Sequence, residues 1–252
     1  MEVLVLGKSP AATDAGGACS GYLLREGDFT VLLDCGSGVF GRLRQVVDYE
    51  QVDVIVVSHL HADHFLDLIP YSFALRYSPR GQLDGPKLWA PPGAEAFFGK
   101  LGELIRFDDQ IATAFKMSEY DPAEPLQLGP LTFRFRAVPH YVDTFACDIT
   151  TPTGVRMTFS ADCGPNQELE ELASDTDLLL IEATSEYPPA ADEPRGHLTA
   201  REAGELAAAA GARSVVITHY SDELDQERIR EQAQAGYGRP LELAVEGACY
   251  RI

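Results

Sequence analysis

The feature that most constrains this chain is the run HLHADH at residues 59–64, which directly follows an apolar segment rich in valine. That segment predicts a buried strand. Alternate residues of an extended or tightly turning segment point the same way, so His59 and His61 can face one metal ion. Asp63 and His64 lie at the turn into the next helix and can face a second ion. Imidazole and carboxylate are ligands of zinc and related divalent ions, so the run predicts a metal site at a strand end.

The other three of the six histidines and one aspartate also lie at the ends of predicted elements. They are His140 after a strand at 131–138, Asp162 after a strand at 155–160, His197 at the start of a helix and His219 after a strand at 215–218. A single histidine in such a position is more often structural than a ligand. Because every histidine is placed in this way, the pattern favours one shared site.

Strand-like apolar runs fall into two groups, and helices are predicted in both halves of the chain. The predicted strands are 3–6, 22–24, 30–34, 52–57 and 87–90, then 113–117, 131–137, 145–150, 155–160, 178–181, 214–218, 241–245 and 249–252. The predicted helices are 37–49, 65–75, 94–104, 167–172, 225–235 and one that begins at the capping box of Thr199 and Glu202. This order predicts a layered α/β fold. No linker divides the chain, so residues 1–252 are expected to form one domain.

Charge and composition exclude several classes of protein. The chain has 20 Lys and Arg against 39 Asp and Glu, a net charge of −19, which argues against binding to long nucleic acids. No apolar run approaches the ~20 residues of a membrane span, and the short apolar start predicts a strand rather than a signal peptide. The five cysteines are widely spaced and never form CxxC, so a cytoplasmic location without disulfides is expected.

The HxHxDH run resembles the metallo-β-lactamase superfamily, for which it is highly specific, and within it the RNase Z-like branch. The resemblance implies an αββα sandwich, with two mixed sheets between helical layers, and a dinuclear metal site at the sheet edge. By matched position, His59, His61 and His140 would bind the first ion, Asp63, His64 and His219 the second, and Asp162 both. Ala161 and Cys163 depart from the usual Gly-Asp-Thr, and Cys163 is expected to be a small packed side chain.

Two further segments resemble the RNase Z branch. The run IEAT at 181–184 is similar to its HEAT segment, with isoleucine in place of histidine, and HLT at 197–199 is similar to its HST segment. In that branch the Glu and the His form a pair beside the metals, which implies a catalytic role for Glu182 and His197. The β-lactam hydrolases lack this pair, so an antibiotic substrate is disfavoured. The alternative for His197 is a helix-capping residue.

These parts together favour hydrolysis of a phosphodiester. Two divalent ions, zinc being favoured over manganese or iron, would supply hydroxide at neutral pH and neutralise phosphoryl oxygens. Asp63 would orient the nucleophile, and His197, held by Glu182, would protonate the leaving oxygen. Two alternatives stay open: a hydrolase of the same fold acting on a thioester, lactone or sulfate ester, and a non-catalytic metal-binding sensor.

The expected substrate is a small phosphodiester. RNase Z grips tRNA with a long arm that would lie between the third histidine and the bridging aspartate, but here His140 and Asp162 are only 22 residues apart. In length and motif layout the chain resembles small bacterial hydrolases that include cyclic-nucleotide phosphodiesterases. Neither a long nucleic acid nor a membrane is an expected partner, and a homodimer stays open. Candidate substrate contacts are Ser221, Lys8 and Ser9. Arg76, Arg80 and Arg195 could form a rim, although solvated surface charges are the favoured alternative, and Tyr141 and Tyr187 could stack on a base, although such aromatics more often pack.

Overall fold

The computed structural model describes residues 1–188, 190 and 194–252. Its strands are β1 (Glu2–Gly7), β2 (Gly21–Glu26), β3 (Phe29–Leu33), β4 (Val54–Val56), β5 (Lys87–Ala90), β6 (Lys116–Glu119), β7 (Leu126–Leu128), β8 (Leu131–Val138), β9 (Thr144–Thr150), β10 (Arg156–Phe159), β11 (Leu178–Glu182), β12 (Ser214–Thr218), β13 (Glu242–Leu243) and β14 (Cys249–Arg251). Its helices are α1 (Val39–Val46), α2 (Ala62–Phe65), α3 (Leu68–Arg76), α4 (Ala94–Ile105), α5 (Gln110–Ala114), α6 (Gln167–Leu172), α7 (Ala200–Ala209) and α8 (Gln226–Tyr237), with a 3₁₀ turn at Tyr49–Gln51.

Within the described residues, these strands form two mixed sheets of seven. The first sheet has the order β14-β1-β2-β3-β4-β5-β6, and the second has the order β13-β12-β11-β10-β9-β8-β7. In the first sheet β3 to β6 run parallel to one another, and in the second sheet β10 to β13 do. The remaining pairings are antiparallel. Parallel strands end at the same edge, so both sheets bring several strand ends together.

Alternation along each strand divides the core into three layers of side chains. In β2, Tyr22 and Leu24 face the second sheet, whereas Leu23 packs toward the helices. In β11, Leu180 faces the first sheet and Leu179 packs against α6 and α7. A strand buried on both faces needs this near-continuous apolar sequence, and the helices cover the two outer faces. The predicted αββα sandwich is thereby confirmed. Among the described residues, no helix has both the length and the apolar character needed to cross a membrane.

The secondary structure of the segment that connects the two sheets differs in part from the prediction. The segment 113–117, predicted as one strand, is divided between the end of α5 and the start of β6. Helical spacing puts Ile111 and Ala114 on one face, and both are buried beneath the helical layer of the first sheet. Strand β7 was missed because three residues in a proline-rich stretch carry too little periodicity to predict a strand.

Candidate metal centre

The first cluster consists of His59, His61 and His140, which meet at one edge of the sandwich. His59 follows β4 and His140 follows β8, and a β-bridge between His59 and Thr144 joins the two sheets here. Nε2 of His140 lies 3.0 Å from Nδ1 of His61. One atom of each histidine and of Asp162 lies within 4.8 Å of all the others. The structure thus brings together three imidazoles and a carboxylate that can hold a metal ion.

The second cluster consists of Asp63, His64 and His219, and it is buried beside the first. Nε2 of His219 lies 3.2 Å from Oδ2 of Asp63 and 3.5 Å from Oδ1 of Asp162. Nε2 of His64 lies 3.3 Å from the same Asp162 oxygen. The other Asp162 oxygen, Oδ2, lies 3.8 Å from His59 and 3.9 Å from His140. Asp162 therefore turns one oxygen toward each cluster.

The buried atoms of both clusters fit divalent cations. Nε2 of His59 and Nε2 of His64 are buried, and neither has a hydrogen-bond partner among the residues that the structure describes. A buried polar atom without a partner costs about 1–3 kcal/mol, and a metal ion would remove that cost. Imidazole nitrogens combined with carboxylate oxygens suit zinc, manganese or iron. The donor set therefore fits one ion in each cluster.

Acceptors around the clusters orient four of the imidazoles through Nδ1. For His64 the acceptor is Asp34 at 2.7 Å, and for His140 it is the Gly196 carbonyl at 2.7 Å. His59 has the Ser58 hydroxyl at 3.1 Å and His219 the Thr184 hydroxyl at 2.8 Å. When Nδ1 donates its proton to such an acceptor, the neutral ring leaves Nε2 unprotonated and able to bind a metal. None of these four acceptors was predicted from the sequence, although Asp34 also follows a strand directly.

The local charges favour a cation in this space. Burial lowers the pKa of His59 well below its ordinary value and so favours the neutral imidazole that binds metals. Burial also acts to raise the pKa of Asp162, but the neighbouring His219 and His64 outweigh it and hold that pKa well below the usual range. Burial likewise opposes charge on His64, yet Asp162 and Asp34 raise its pKa well above the ordinary value. A proton and a metal ion would compete for Nε2 of His64. The carboxylates of Asp162 and Asp34, which favour a proton on this imidazole, therefore also favour a metal cation.

Three residues at the site have left-handed backbone conformations. The φ angle is 59° at Asp34, 50° at Ala161 and 51° at His219. Outside glycine, such conformations cost about 1 kcal/mol or more each and persist where the surroundings require them. Each bends the chain directly after a strand and turns Asp34, Asp162 or His219 toward the clusters. Ala161 stands where the superfamily usually has glycine, which adopts this conformation without strain.

Glu182 and His197 form a hydrogen-bonded pair next to the second cluster. Oε1 of Glu182 lies 2.9 Å from Nδ1 of His197 and also accepts the Cys163 N–H at 2.7 Å. Oε2 accepts the Thr184 hydroxyl at 2.7 Å, so Thr184 joins the pair to His219. Burial lowers the pKa of His197, but the Glu182 carboxylate outweighs this and raises it above its ordinary value. The arrangement places a proton-holding imidazole beside the clusters.

A cavity of about 510 Å³ opens over both clusters. Its described lining comprises Pro10, Ala11, Ala12, His61, Ala62, Asp63, Tyr141, Asp162, Thr184, His197 and His219. The Tyr141 side chain is 58% exposed, and its ring centroid lies 5.8 Å from that of His197. The cavity is therefore wide enough for a small ligand and combines one face of metal-binding groups with a largely apolar wall.

The predicted substrate contacts lie mostly elsewhere. Lys8 is buried, and its ammonium binds Asp14 and donates to the Tyr220 carbonyl at 2.9 Å. Ser9 is fully buried and accepts the Asp14 N–H, and Ser221 accepts the Glu223 N–H. These three residues fasten the loops after β1 and β12, and none is among the residues described as lining the cavity. As a group they are better explained as structural than as ligands for a substrate.

Of the residues considered for a rim or for stacking, Tyr141 lines the cavity, and the others bind neighbouring side chains. Arg76 binds Gln110, Arg80 pairs with Asp48 and Glu50, and Arg195 pairs with Glu202. Tyr187 is exposed and binds Arg228, whereas Tyr141 does line the cavity. Cys163 packs in the apolar core on the helix side of the second sheet, and only its backbone N–H reaches the Glu182 pair.

Comparison with known proteins agrees with this fold and identifies the family. Residues 30–220 match the family model described as the beta-lactamase superfamily domain. The probable metallo-hydrolase YhfI of Bacillus subtilis is 30% identical over 98% of this chain and 98% of its own length. The crystal structure of YhfI has a TM-score of 0.85 and 28% identity, covering 99% of this chain and 98% of that one. A ribonuclease Z of Myxococcus xanthus is 27% identical over 98% of this chain and 96% of its own length.

Proposed function

Because the chain belongs to the β-lactamase superfamily, we propose that it is a metal-dependent hydrolase that cleaves small phosphodiesters, cyclic nucleotides among them. The observation that carries this proposal is the Glu182–His197 pair, 2.9 Å apart, beside two clusters that can hold metal ions. Thioester and lactone hydrolysis would use the clusters without an evident need for this pair. Cleavage of a diester between phosphate and a sugar oxygen would use both.

The metal ions would be held by the two clusters. His59, His61 and His140 would hold the first, Asp63, His64 and His219 the second, and Asp162 both. When bound, two such ions lower the pKa of water toward neutrality and neutralise charge that develops on phosphoryl oxygens. Zinc is the ion we favour, and manganese and iron are the alternatives that the same ligands accept.

The side chains supply positioning and proton transfer. The carboxylate of Asp63 lines the cavity floor and would orient a nucleophilic water through an oxygen that accepts hydrogen bonds. Nδ1 of His197 is held by Glu182, so Nε2 on the opposite side of the ring is available to hold a proton. That proton would go to the leaving oxygen as its bond to phosphorus breaks. Thr184 is hydrogen-bonded to both Glu182 and His219. This network would fix the position of the His197 imidazole relative to the second cluster.

The chain between His140 and Asp162 favours a small substrate. It consists mainly of β9, a short turn and β10, and β9 pairs with β8 along its whole length and with β10 from Cys147 to Thr150. A tRNA-gripping arm of the RNase Z kind would have to be inserted in this segment. Together with the net charge of −19, the compact hairpin supports a small diester rather than a structured RNA as substrate.

A hydrolysis panel tests the proposal. Protein loaded with zinc or manganese, its metal content measured by elemental analysis, is incubated with bis-p-nitrophenyl phosphate, cyclic AMP, cyclic GMP, a thioester, a lactone and a sulfate ester. We expect turnover of the phosphodiesters to exceed that of the other esters. Faster turnover of the thioester, lactone or sulfate ester would replace the proposal by the corresponding hydrolase. Full metal content with no turnover of any ester would favour a metal-binding sensor.

A further inference from the structure

The cavity contains no lysine or arginine among its described lining residues. Its titratable lining groups, apart from Tyr141, are the carboxylates of Asp63 and Asp162 and the imidazoles of His61, His219 and His197. Proteins that bind several phosphates usually present arginine, lysine or a helix N-terminus to each of them. Here the metal positions can neutralise one phosphate, and the proton-holding His197 is already paired with Glu182. Within the part of the chain that the structure describes, no lysine or arginine faces the cavity to neutralise a second phosphate.

The segments that contribute to the cavity are acidic as a group. Between them they contain eleven Asp or Glu residues and two basic residues, Lys8 and Arg195. This count comes from the sequence, so it includes every residue of the long segment that carries His197. The segments are 8–20, 57–67, 139–143, 160–166, 183–199 and 219–225.

Carboxylates already neutralise both basic residues. The ammonium of Lys8 is buried against Asp14 and the Tyr220 carbonyl, outside the cavity lining. One guanidinium nitrogen of Arg195 donates to both Glu202 oxygens, at 2.6 and 2.7 Å. With these two charges balanced, the lining carboxylates of Asp63 and Asp162 and the net charge of −19 leave no positive charge around the cavity, beyond the metal positions and the paired His197, to attract a second anionic group.

The rest of the described lining is uncharged and mostly apolar. Pro10, Ala11, Ala12 and Ala62 supply small apolar surfaces, and Tyr141 adds an exposed ring beside His197. A nucleoside base or another neutral group can pack on such a wall, whereas a phosphate would lose its hydration there without gaining a cationic partner.

From these charges we infer that the site selects diesters with a single negative charge, in which both groups esterified to the phosphate are uncharged. Cyclic nucleotides and dinucleoside monophosphates belong to this class. Diphosphates, phosphorylated coenzymes and diesters with a terminal phosphate do not. The inference rests on the proposed phosphodiesterase function and narrows it to a substrate class defined by charge.

Two substrates that differ only in charge provide the test. The dinucleoside monophosphate ApA and its 5′-phosphorylated form pApA contain the same 3′,5′-diester bond between the same two nucleosides. The terminal phosphate adds about two negative charges. We expect kcat/KM for pApA to be about tenfold or more below that for ApA at low ionic strength, and the difference to shrink as salt is added. Binding of both ligands to the slowly reacting His197→Ala variant, measured by calorimetry, should show the same order.

A substitution on the wall tests the electrostatic cause. Ala12 is exposed and lines the cavity, so Ala12→Lys adds a cation there, and Ala12→Gln is the neutral control of similar size. We expect the ratio of kcat/KM for pApA to that for ApA to be about tenfold higher in the lysine variant than in the glutamine variant. A ratio that is equal in both variants would overturn the electrostatic explanation.

The outcomes separate this inference from the proposed function. If pApA and ApA are cleaved equally well at low salt, the charge selection is wrong and the phosphodiesterase proposal stands. If the metal-loaded protein cleaves neither substrate nor the simpler diesters of the panel, the proposed function itself is contradicted. Slow cleavage of pApA with no dependence on salt would assign the difference to shape and overturn the inference.

Discussion

The two histidine clusters on either side of Asp162 differ in what holds their imidazoles. In the second cluster, His64 is bound by the buried carboxylate of Asp34 at 2.7 Å, and His219 is bound by Thr184, which in turn binds Glu182. In the first cluster, His59 has a serine hydroxyl at 3.1 Å and His140 a backbone carbonyl. A carboxylate partner raises the basicity of an imidazole more than a neutral acceptor does.

Because of this difference, we expect metal ions in the two clusters to be held unequally. The second cluster is buried throughout and has charged support, whereas His61 of the first cluster is partly exposed. We therefore expect a metal ion in the second cluster to bind more tightly and exchange more slowly. In a stepwise titration with a chelator, the first equivalent of metal removed should come from the first cluster.

The largest effect is expected from removing the residue that the clusters share. Asp162→Asn keeps the shape of the side chain but removes the charge that faces both metal positions. We expect less than two equivalents of metal by elemental analysis and a loss of diester hydrolysis greater than the ~10⁴-fold upper limit of general acid catalysis. Two full equivalents and near-normal turnover in this variant would show that Asp162 does not connect the clusters.

His197→Ala should separate proton transfer from both clusters. The side chain belongs to neither cluster as we define them, so metal content and thermal unfolding should match those of the unmodified protein. We expect a loss of about 10²-fold or more on a nucleotide diester, whose alkoxide needs a proton, and a much smaller loss on a p-nitrophenyl diester.

Two results would contradict that assignment. Equal losses on the two substrates would mean that His197 positions the substrate rather than donating a proton. A loss of metal would mean that His197 is a ligand, as its place beside Glu182 and His219 permits.

A substitution at Asp34 tests the expected difference in metal affinity between the two clusters. Asp34→Asn replaces the charged partner of His64, and we expect affinity for the more tightly bound metal to fall by about 10–100-fold. Ser58→Ala is the corresponding change beside the first cluster. Its hydroxyl also donates to Asp34 at 2.9 Å, but its effect should be smaller because the lost group is neutral and the Asp34 carboxylate is retained. Competition with a metal-binding dye measures both affinities. A larger loss in the serine variant would reverse our ranking of the clusters.

The smallest effect is expected at Thr184. Its hydroxyl bridges Glu182 and His219, so Thr184→Val should weaken metal binding at the second cluster by about tenfold, the lower end of the range for such partners. Thr184→Ser retains the hydroxyl and is the control, for which we expect near-normal affinity. Equal weakening in both variants would show that the methyl group, and not the hydrogen bond, positions His219.

The sequence predicted the superfamily and the sandwich because both depend on strong, local signals. HxHxDH lies within six residues, and the alternating apolar strands specify two faces each. The structure confirms the fold and brings together every predicted ligand, whereas their binding of metal stays a prediction. Partners such as Asp34, Thr184 and the Gly196 carbonyl could not be predicted, since each contact joins residues far apart in sequence or uses the backbone. The position of Lys8 beside the predicted site made it a candidate substrate contact. Its ion pair with Asp14 is a tertiary contact that the sequence does not reveal.

The pairing of β14 with β1 has a consequence for how the chain folds. Strands β1 to β6 and β7 to β13 are contiguous in sequence, so most of each sheet forms from neighbouring segments, but the first sheet is completed by a strand that follows the second. During synthesis the edge of β1 is exposed until residues 249–251 have left the ribosome. An open, apolar strand edge is a place where other chains can pair, so we expect the nascent protein to be most prone to aggregation in that interval.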